Sequence, residues 1–483
     1  MANLAARLLR AAATNPGRTA FLTSDGATTN GELAERVLRI RGGLSRAGVR
    51  HGDRVAILTS GPAFVETYVA ALGLGAVAVP LNVLSPGAEL ARGLVSTETG
   101  IAVADGSAAE AARGVGAEIF DPAQLVESDP GPETLDVDDD DPAAMLMTSG
   151  TTGEARAAVL THGSLRANLD QLDAHPGMKA EPDDVGFAML PFFHIFGLNV
   201  VAGYSLYTGT TLAFPYAHGG AAWLEAIERF KVSVVLGTPQ VFAGWLSLEP
   251  PQKVLKSVRV AVSGAAPLDI ETYEGFGEHF GKPLWEGYGL TEASPVVSTT
   301  RMDPEPTPGS VGRPLPGVEV ELRSSDGSIA LLGDPGEVWV RGPNLFAGYW
   351  NDDEATSETL VNGWLKTGDV AVADEEGRLY LVDRSRDIII VSGFNVFPAE
   401  VEEVLLAHSE IREAAVVGRP STRTGEEVVA YVVSTGVVRD SEVIREFCTG
   451  RISRYKVPVE INFVDQLPHT FIGKIRRGEL RSG

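Results

Sequence analysis

The chain has 483 residues and carries 40 Lys and Arg against 64 Asp and Glu, a formal net charge of −24. An acidic chain without a basic cluster lacks the face that nucleic-acid backbones require, so nucleic acid is not an expected partner. Its one cysteine, Cys448, excludes an internal disulfide framework and a Cys-rich metal site and fits a reducing, cytoplasmic setting, while 44% hydrophobic residues over this length accommodate roughly two to four globular domains.

The first residues are Arg-bearing and acid-free. Leu4, Leu8 and Leu9 at helical spacing, closed by the turn Asn15-Pro16-Gly17, predict an amphipathic helix rather than a transit peptide. Strand-like Thr19 to Leu22 follows. Apolar runs at 55–58, 76–79, 232–236 and 258–262 alternate with helical patterns at 31–47 and 222–230, which predicts α/β layers built on parallel sheets. The Pro- and Asp-rich stretch 121–142 reads as a solvated connector. From Val185 to Leu224 no charged side chain occurs, a span long enough to cross a bilayer, but Pro191, His194, Asn199 and Pro215 interrupt it, and a buried strand, loop and helix are expected instead. Between 309 and 383 short strands separated by Gly and Pro turns predict a small β-barrel or antiparallel sheet. After Arg384 a strand at 388–391, a helix at 398–406 and strands at 413–417 and 428–433 predict a small α+β domain. The expected division is 1–383, a connector at 384–387, and 388–483, with Cys448 in a helix as a packing residue. Arg481-Ser482-Gly483 matches neither an ER-retention nor a peroxisomal signal.

The chemistry starts at Thr148-Ser149-Gly150-Thr151-Thr152-Gly153, directly after the apolar run Met145 to Met147. Its backbone N–H groups and hydroxyls are suited to wrapping a polyphosphate, although it is not a Walker A loop, and such a segment standing alone is more often only a turn. Further segments follow in order: Pro191-Phe192-Phe193-His194, Ser263 to Leu268 (SGAAPL), Glu286 to Glu292 (EGYGLTE), Gly363 to Asp369 (GWLKTGD), Asp383 to Asp387 (DRSRD), Gly393 to Glu402 (GFNVFPAEVE), and Pro468 to Lys474. This series resembles that of the adenylate-forming superfamily of acyl-CoA synthetases, peptide-synthetase adenylation domains and beetle luciferase, and spans nearly the whole chain.

The resemblance implies a large N-terminal α/β domain, a small mobile C-terminal domain, and an ATP-dependent carboxylic acid–CoA ligase. Such an enzyme forms an acyl-AMP and then a thioester, with ATP, Mg²⁺ and coenzyme A as cofactors and co-substrates. Joining a carboxylate to the α-phosphate brings anion against anion, so cations must gather where charge develops. By resemblance Lys474 reaches the α-phosphate and the carboxylate, and Glu292 holds Mg²⁺. Thr148 and His194 join them as candidate catalytic residues. Thr148 to Gly153 wrap the phosphates, and Gly264, Ala265, Ala266, Glu286, Gly287, Gly289 and Thr291 line the nucleotide site. Tyr288 stacks on adenine, Asp369 and Arg384 meet the ribose, Arg386 is the hinge, and Gly393 borders the pantetheine tunnel. The small residues Gly264 to Ala266, Gly287 and Gly289, beside Phe193, His194 and Leu290, leave room for an apolar acyl chain, and no Lys or Arg stands among them. The expected substrate is therefore a monocarboxylate with an apolar body, and the segment Glu286 to Val297 (EGYGLTEASPVV) most resembles medium- and long-chain fatty acyl-CoA synthetases, which implies a fatty acid of that length. Arg259, on the preceding strand, reads as structural. The alternatives are a freestanding ligase loading an acyl carrier protein and a binding homologue with impaired turnover.

One departure stands out. Where the family usually continues x-Pro-Lys-Gly after the phosphate loop, this chain has Glu154-Ala155-Arg156-Ala157. Arg presents a planar fork rather than a compact ammonium, and Ala restricts a backbone that Gly leaves free, so a weakened phosphate contact is expected there.

Overall fold

A computed structural model describes the chain except residues 1, 150–154, 176, 218, 385–386, 388, 392–393, 397, 422–423, 437–439, 450, 453, 470–474 and 482–483. It divides into two compact units, Met1–Glu319 with Val340–Leu365, and Val320–Trp339 with Lys366–Gly483.

The first unit holds two large sheets. In the nine-stranded one, strands Trp285–Gly289, Val260–Ser263, Val234–Gly237, Val185–Phe187, Thr211–Ala213 and Thr19–Thr23 run parallel, with antiparallel edges at Val296–Thr299, Arg313–Pro314 and Gly26–Thr29. In the seven-stranded one, Pro142–Ser149, Val77–Pro80, Arg54–Leu58, Ile101–Ala104 and Glu118–Phe120 run parallel, and Ala155–Thr161 and Gly348–Tyr349 close one side antiparallel. Parallel strands are covered on both faces, which is why they read as unbroken apolar runs: Val55 to Leu58 and Val77 to Val79 are fully buried. An aromatic cluster packs against the first sheet, with Phe242 set edge-on to Trp245 and Phe276 at 5.5 and 5.4 Å between centroids.

Two expectations change in detail and a third stands. The N-terminal helix is two short helices, Leu4–Leu8 and Arg10–Thr14, and Leu4 and Leu8 are buried as their spacing required. The stretch 121–142 is largely exposed, as expected, but it is tied down rather than a free connector. It forms helix Pro122–Val126 and then a strap on helix Asn30–Arg46, where Gly131 N–H donates to Leu38 C=O at 2.8 Å and Arg41 bonds Pro132 and Thr134. A Cβ on Gly42 would fall on the backbone carbonyl of Asp129, so close approach of helix and strap explains the glycine. The uncharged span 185–224 folds as the expected strand, loop and helix, the helical part being π-helix Phe196–Gly203 and helix Tyr204–Thr208 before strand Thr211–Ala213, and among the described residues no helix is long and apolar enough to cross a membrane.

The strands expected between 309 and 383 form a five-stranded sheet in the order Glu319–Arg323, Gly336–Arg341, Trp364–Ala373, Leu360–Val361, with Leu379–Arg384 also paired to Trp364–Ala373. A second five-stranded sheet carries the C-terminal part: Phe394–Val396, Ile389–Val391, Gly425–Ser434 and Ile411–Ser421 in order, with Glu460–Phe463 parallel to Gly425–Ser434. Helices Pro398–Leu406 and Ser441–Thr449 contribute to its aliphatic core. Cys448 is fully buried there, and burial pushes its thiol pKa up to about 11, so it packs as an inert thiol. Lys456 donates to both oxygens of Glu400 at 2.6 Å.

Candidate active site

In the first unit several motif residues stand at carboxyl ends of parallel strands, where open α/β sheets place their ligands. Ser149 ends strand Pro142–Ser149, and Gly150, Thr151, Thr152 and Gly153 lie outside the described residues. Ser263 ends strand Val260–Ser263, and Gly264, Ala265 and Ala266 follow. Ala265 adopts φ +69°, a left-handed conformation an alanine rarely takes. A Cβ on Gly264 would stand 3.2 Å from the ring of Phe196, so the glycine lets that ring lie flush on the loop. Phe196 begins the π-helix, and its N–H donates to His194 Nδ1 at 3.3 Å. Phe193 and His194 are half-buried. Phe196 thus links His194 to the Gly264 loop. Arg259 is committed elsewhere, its guanidinium paired with Asp184.

The neighbouring strand Trp285–Gly289 carries Glu286 and Tyr288, both buried, and leads into the short turn Thr291–Ala293. Burial pushes the Glu286 carboxyl up to about 8, so it is protonated at neutral pH while Oε1 accepts a bond from Leu268 N–H at 3.3 Å. That bond ties the strand to the Gly264 loop. A Cβ on Gly289 would fall on the carbonyl oxygen of Pro295, whereas one on Gly287 would meet nothing nearer than Ser298 O at 3.5 Å.

The turn bearing Glu292 is held by four side-chain amides that no motif singled out. Asn344 Nδ2 donates to Ala293 O at 2.7 Å, and Asn199 Nδ2 to Ser294 O at 2.7 Å. Asn168 both donates to Val296 O and accepts from Val296 N–H, at 2.9 and 3.1 Å, and Gln171 bridges Asn168 and Asn344. All four are buried. Buried polar groups bonded this fully fix one backbone geometry. The sequence signal, four scattered amides with no common spacing, is too weak to find them.

Glu292 itself is half-buried, and its Oε1 accepts the hydroxyl of Tyr349 at 2.8 Å. Burial and the carboxylate of Glu292 both hold the Tyr349 phenol protonated, with its pKa raised. Tyr349 N–H is fixed in turn by Thr356 Oγ1 at 2.9 Å. Arg156 lies opposite Thr148 in the antiparallel ladder, and Thr148 Oγ1 donates to Arg156 O at 3.4 Å. The Arg156 guanidinium bonds Asp352 at 2.8 Å and stands 5.6 Å from the Tyr349 ring centroid. Ala157 is an ordinary residue of the same ladder, opposite Met147 and without positive φ, so the expected backbone conflict there does not arise.

In the second unit Asp369 and Arg384 are direct antiparallel partners, and Asp369 is buried, with its N–H donating to Thr367 Oγ1 at 3.1 Å. Arg386, Gly393 and Lys474 lie outside the described residues.

Known proteins are similar to this chain in sequence and fold. The family described as AMP-binding enzyme matches residues 8–350, and the one described as AMP-binding enzyme C-terminal domain matches residues 400–474. A long-chain-fatty-acid–CoA ligase of Yersinia pestis is 38% identical over 72% of this chain, which spans 62% of that ligase's length. A feruloyl-CoA synthase of Amycolatopsis sp is 36% identical over 98% of this chain and 97% of its own. The crystal structure of ATP-bound MatB from Rhodopseudomonas palustris is similar with a TM-score of 0.92 and 31% identity, covering 100% of this chain and 98% of that one.

Proposed function

This chain belongs to the AMP-binding enzymes, as an adenylate-forming acyl-CoA synthetase, and from that premise we propose that it joins a medium- or long-chain fatty acid to coenzyme A. The reaction runs through an acyl-AMP with release of pyrophosphate, and the CoA thiol then displaces AMP. The observation that carries this reading is that Gly264 to Ala266 and the Glu286–Glu292 segment follow or end neighbouring parallel strands of one sheet, while Ser149 ends a parallel strand of the other sheet in the same unit.

In this reading Tyr288 and the Gly264 loop receive adenine. The protonated Glu286 both steadies that loop and offers a donor. Asp369, with Arg384 opposite it, takes the ribose. Mg²⁺ suits Glu292: such an ion is commonly held by one or two carboxylates together with substrate phosphates, and the half-buried Glu292 carboxylate has one oxygen, Oε1, steadied by the Tyr349 hydroxyl. When bound, the ion would neutralise charge on the phosphates. Lys474 adds the cation at the α-phosphate, and Arg386 is the pivot that exchanges Lys474 for the Gly393 loop between the two half-reactions. Phe193, His194, Phe196 and Gly264, which we assign to the acyl pocket, include no Lys or Arg to pair a second carboxylate, and this favours a monocarboxylate.

Acid-dependent ATP–pyrophosphate exchange, read over a panel of fatty, aromatic and dicarboxylic acids and followed by thioester formation with CoA or a carrier protein, tests this function. A medium- or long-chain fatty acid is expected to give the highest rate. The feruloyl-CoA synthase relative, which aligns along its whole length, favours an aromatic acid as the second reading. Preference for a dicarboxylate, or for a carrier-protein thiol over CoA, overturns the corresponding part. Lys474→Ala is expected to abolish most exchange yet spare thioester formation from supplied acyl-adenylate, because its cation matters while pyrophosphate leaves.

A further inference from the structure

We propose that Arg156 is a positioning residue that orients the Glu292 carboxylate through Tyr349, rather than a ligand of the ATP phosphates. The inference rests on the adenylation reading above.

Its first support is where Arg156 is held. One oxygen of Asp352, Oδ1, accepts from Ala355 N–H at 3.0 Å and caps helix Asp353–Thr359, while the other, Oδ2, takes Arg156 Nε at 2.8 Å. Asp352 is therefore fixed by its own helix and cannot follow Arg156 toward a ligand without giving up the cap. The planar guanidinium pairs with this carboxylate and at the same time lies near the Tyr349 ring, 5.6 Å from its centroid, a double engagement that a lysine ammonium cannot reproduce in the same geometry.

The second support is what Tyr349 does. Its ring is pinned edge-on against Phe346 at 4.9 Å, and Phe346 N–H donates to Glu292 O at 2.9 Å, so the segment carrying Tyr349 and the turn carrying Glu292 are locked at the backbone. The Tyr349 hydroxyl then takes Glu292 Oε1 at 2.8 Å, while Oε2 has no hydrogen-bond partner among the described residues. One carboxylate oxygen is thus oriented by a neutral donor and the other is left for a cation. Partners that orient a metal-binding carboxylate from behind commonly alter metal affinity by about tenfold or more when removed. The lysine of the family motif has become an arginine that braces the metal corner from the protein side.

The test uses the full-length protein with α,β-methylene-ATP, which blocks the chemical step, titrated calorimetrically with and without Mg²⁺. Thermal melting and ATP–pyrophosphate exchange are measured on the same preparations. Tyr349→Phe removes only the hydroxyl, and Arg156→Met removes the charge at similar length. Each is expected to bind the Mg²⁺-free analogue within about twofold of wild type and to lose about tenfold of the Mg²⁺-dependent gain, with an unchanged melting temperature. The double variant is expected to lose no more than the worse single one, as members of one chain of contacts do. If Arg156 touches phosphate instead, Arg156→Met weakens Mg²⁺-free binding, Arg156→Lys restores it, and the effect adds to that of Tyr349→Phe; that result overturns the proposal. Variants that only melt earlier and keep the Mg²⁺ gain overturn it as well. A wild-type protein without exchange or a Mg²⁺ gain overturns the adenylation reading and this inference together, so the two failures are distinguishable.

Discussion

At Gly289 one added methyl would fall on the Pro295 carbonyl, whereas at Glu292, in the turn that follows, a carboxylate is held by a tyrosine hydroxyl and an arginine behind it. The stretch proposed for adenine, Gly264 to Ala266 and Glu286 to Gly289, is shaped where side chains are missing: Gly289 lets two backbones meet and Gly264 admits the Phe196 ring. The corner proposed for the metal, Arg156, Tyr349, Asp352 and Glu292, takes its shape from long side chains bonded to one another. The first is stiff because close-packed backbone has nowhere to move, and the second is precise only while every partner is present.

Gly289→Ala should break the stiff side outright. The strand and the Pro295 turn cannot both stay in place, and we expect exchange activity to fall by at least about 100-fold with a lowered melting temperature, since a clash with backbone has no side chain to yield. Glu292→Gln attacks the other side without a steric change. The Tyr349 hydroxyl keeps an acceptor, so the fold should persist while exchange falls by about 100-fold, measured at saturating ATP over a Mg²⁺ series.

Glu286→Gln sharpens the contrast through pH. The buried carboxyl titrates near 8 in the folded chain and lower when unfolded, so its favourable contribution is complete below the unfolded value and is lost as pH rises through about 8. Chemical denaturation between pH 5 and 8 should show wild-type stability falling by up to a few kcal/mol from this group and the Gln variant falling less, with the Leu268 bond retained. Gly287→Ala is the smallest change. Its Cβ has ordinary contact distance, so melting should match wild type, and a large destabilisation would show that the whole strand rather than Gly289 alone is tight.

Much of the arrangement is legible in the order of the residues. Apolar runs mark the parallel strands because such strands are buried on both faces, and motif residues fall at their ends because that is where loops are free to carry hydroxyls and glycines. Family resemblance puts both Asp369 and Arg384 at the ribose, and strand register sets them opposite each other. Arg156 stands out as a departure from the family motif, yet its partner Asp352 lies 196 residues away and carries no motif, so nothing in the local sequence signals their pairing.

Composition and residue order, then, determined the α/β class, the family and the sites where small residues must stand, because these follow from local periodicity and from chemistry that tolerates few residue types. Tertiary structure alone decided how Asn168, Gln171, Asn199 and Asn344 meet around the Glu292 turn, how the acidic stretch at 121–142 becomes a strap, and which way Arg156 points. Each of these depends on hydrogen bonds between segments remote in the chain. An amide or a guanidinium can satisfy its bonds with many partners, and only the packed fold leaves one of them within reach.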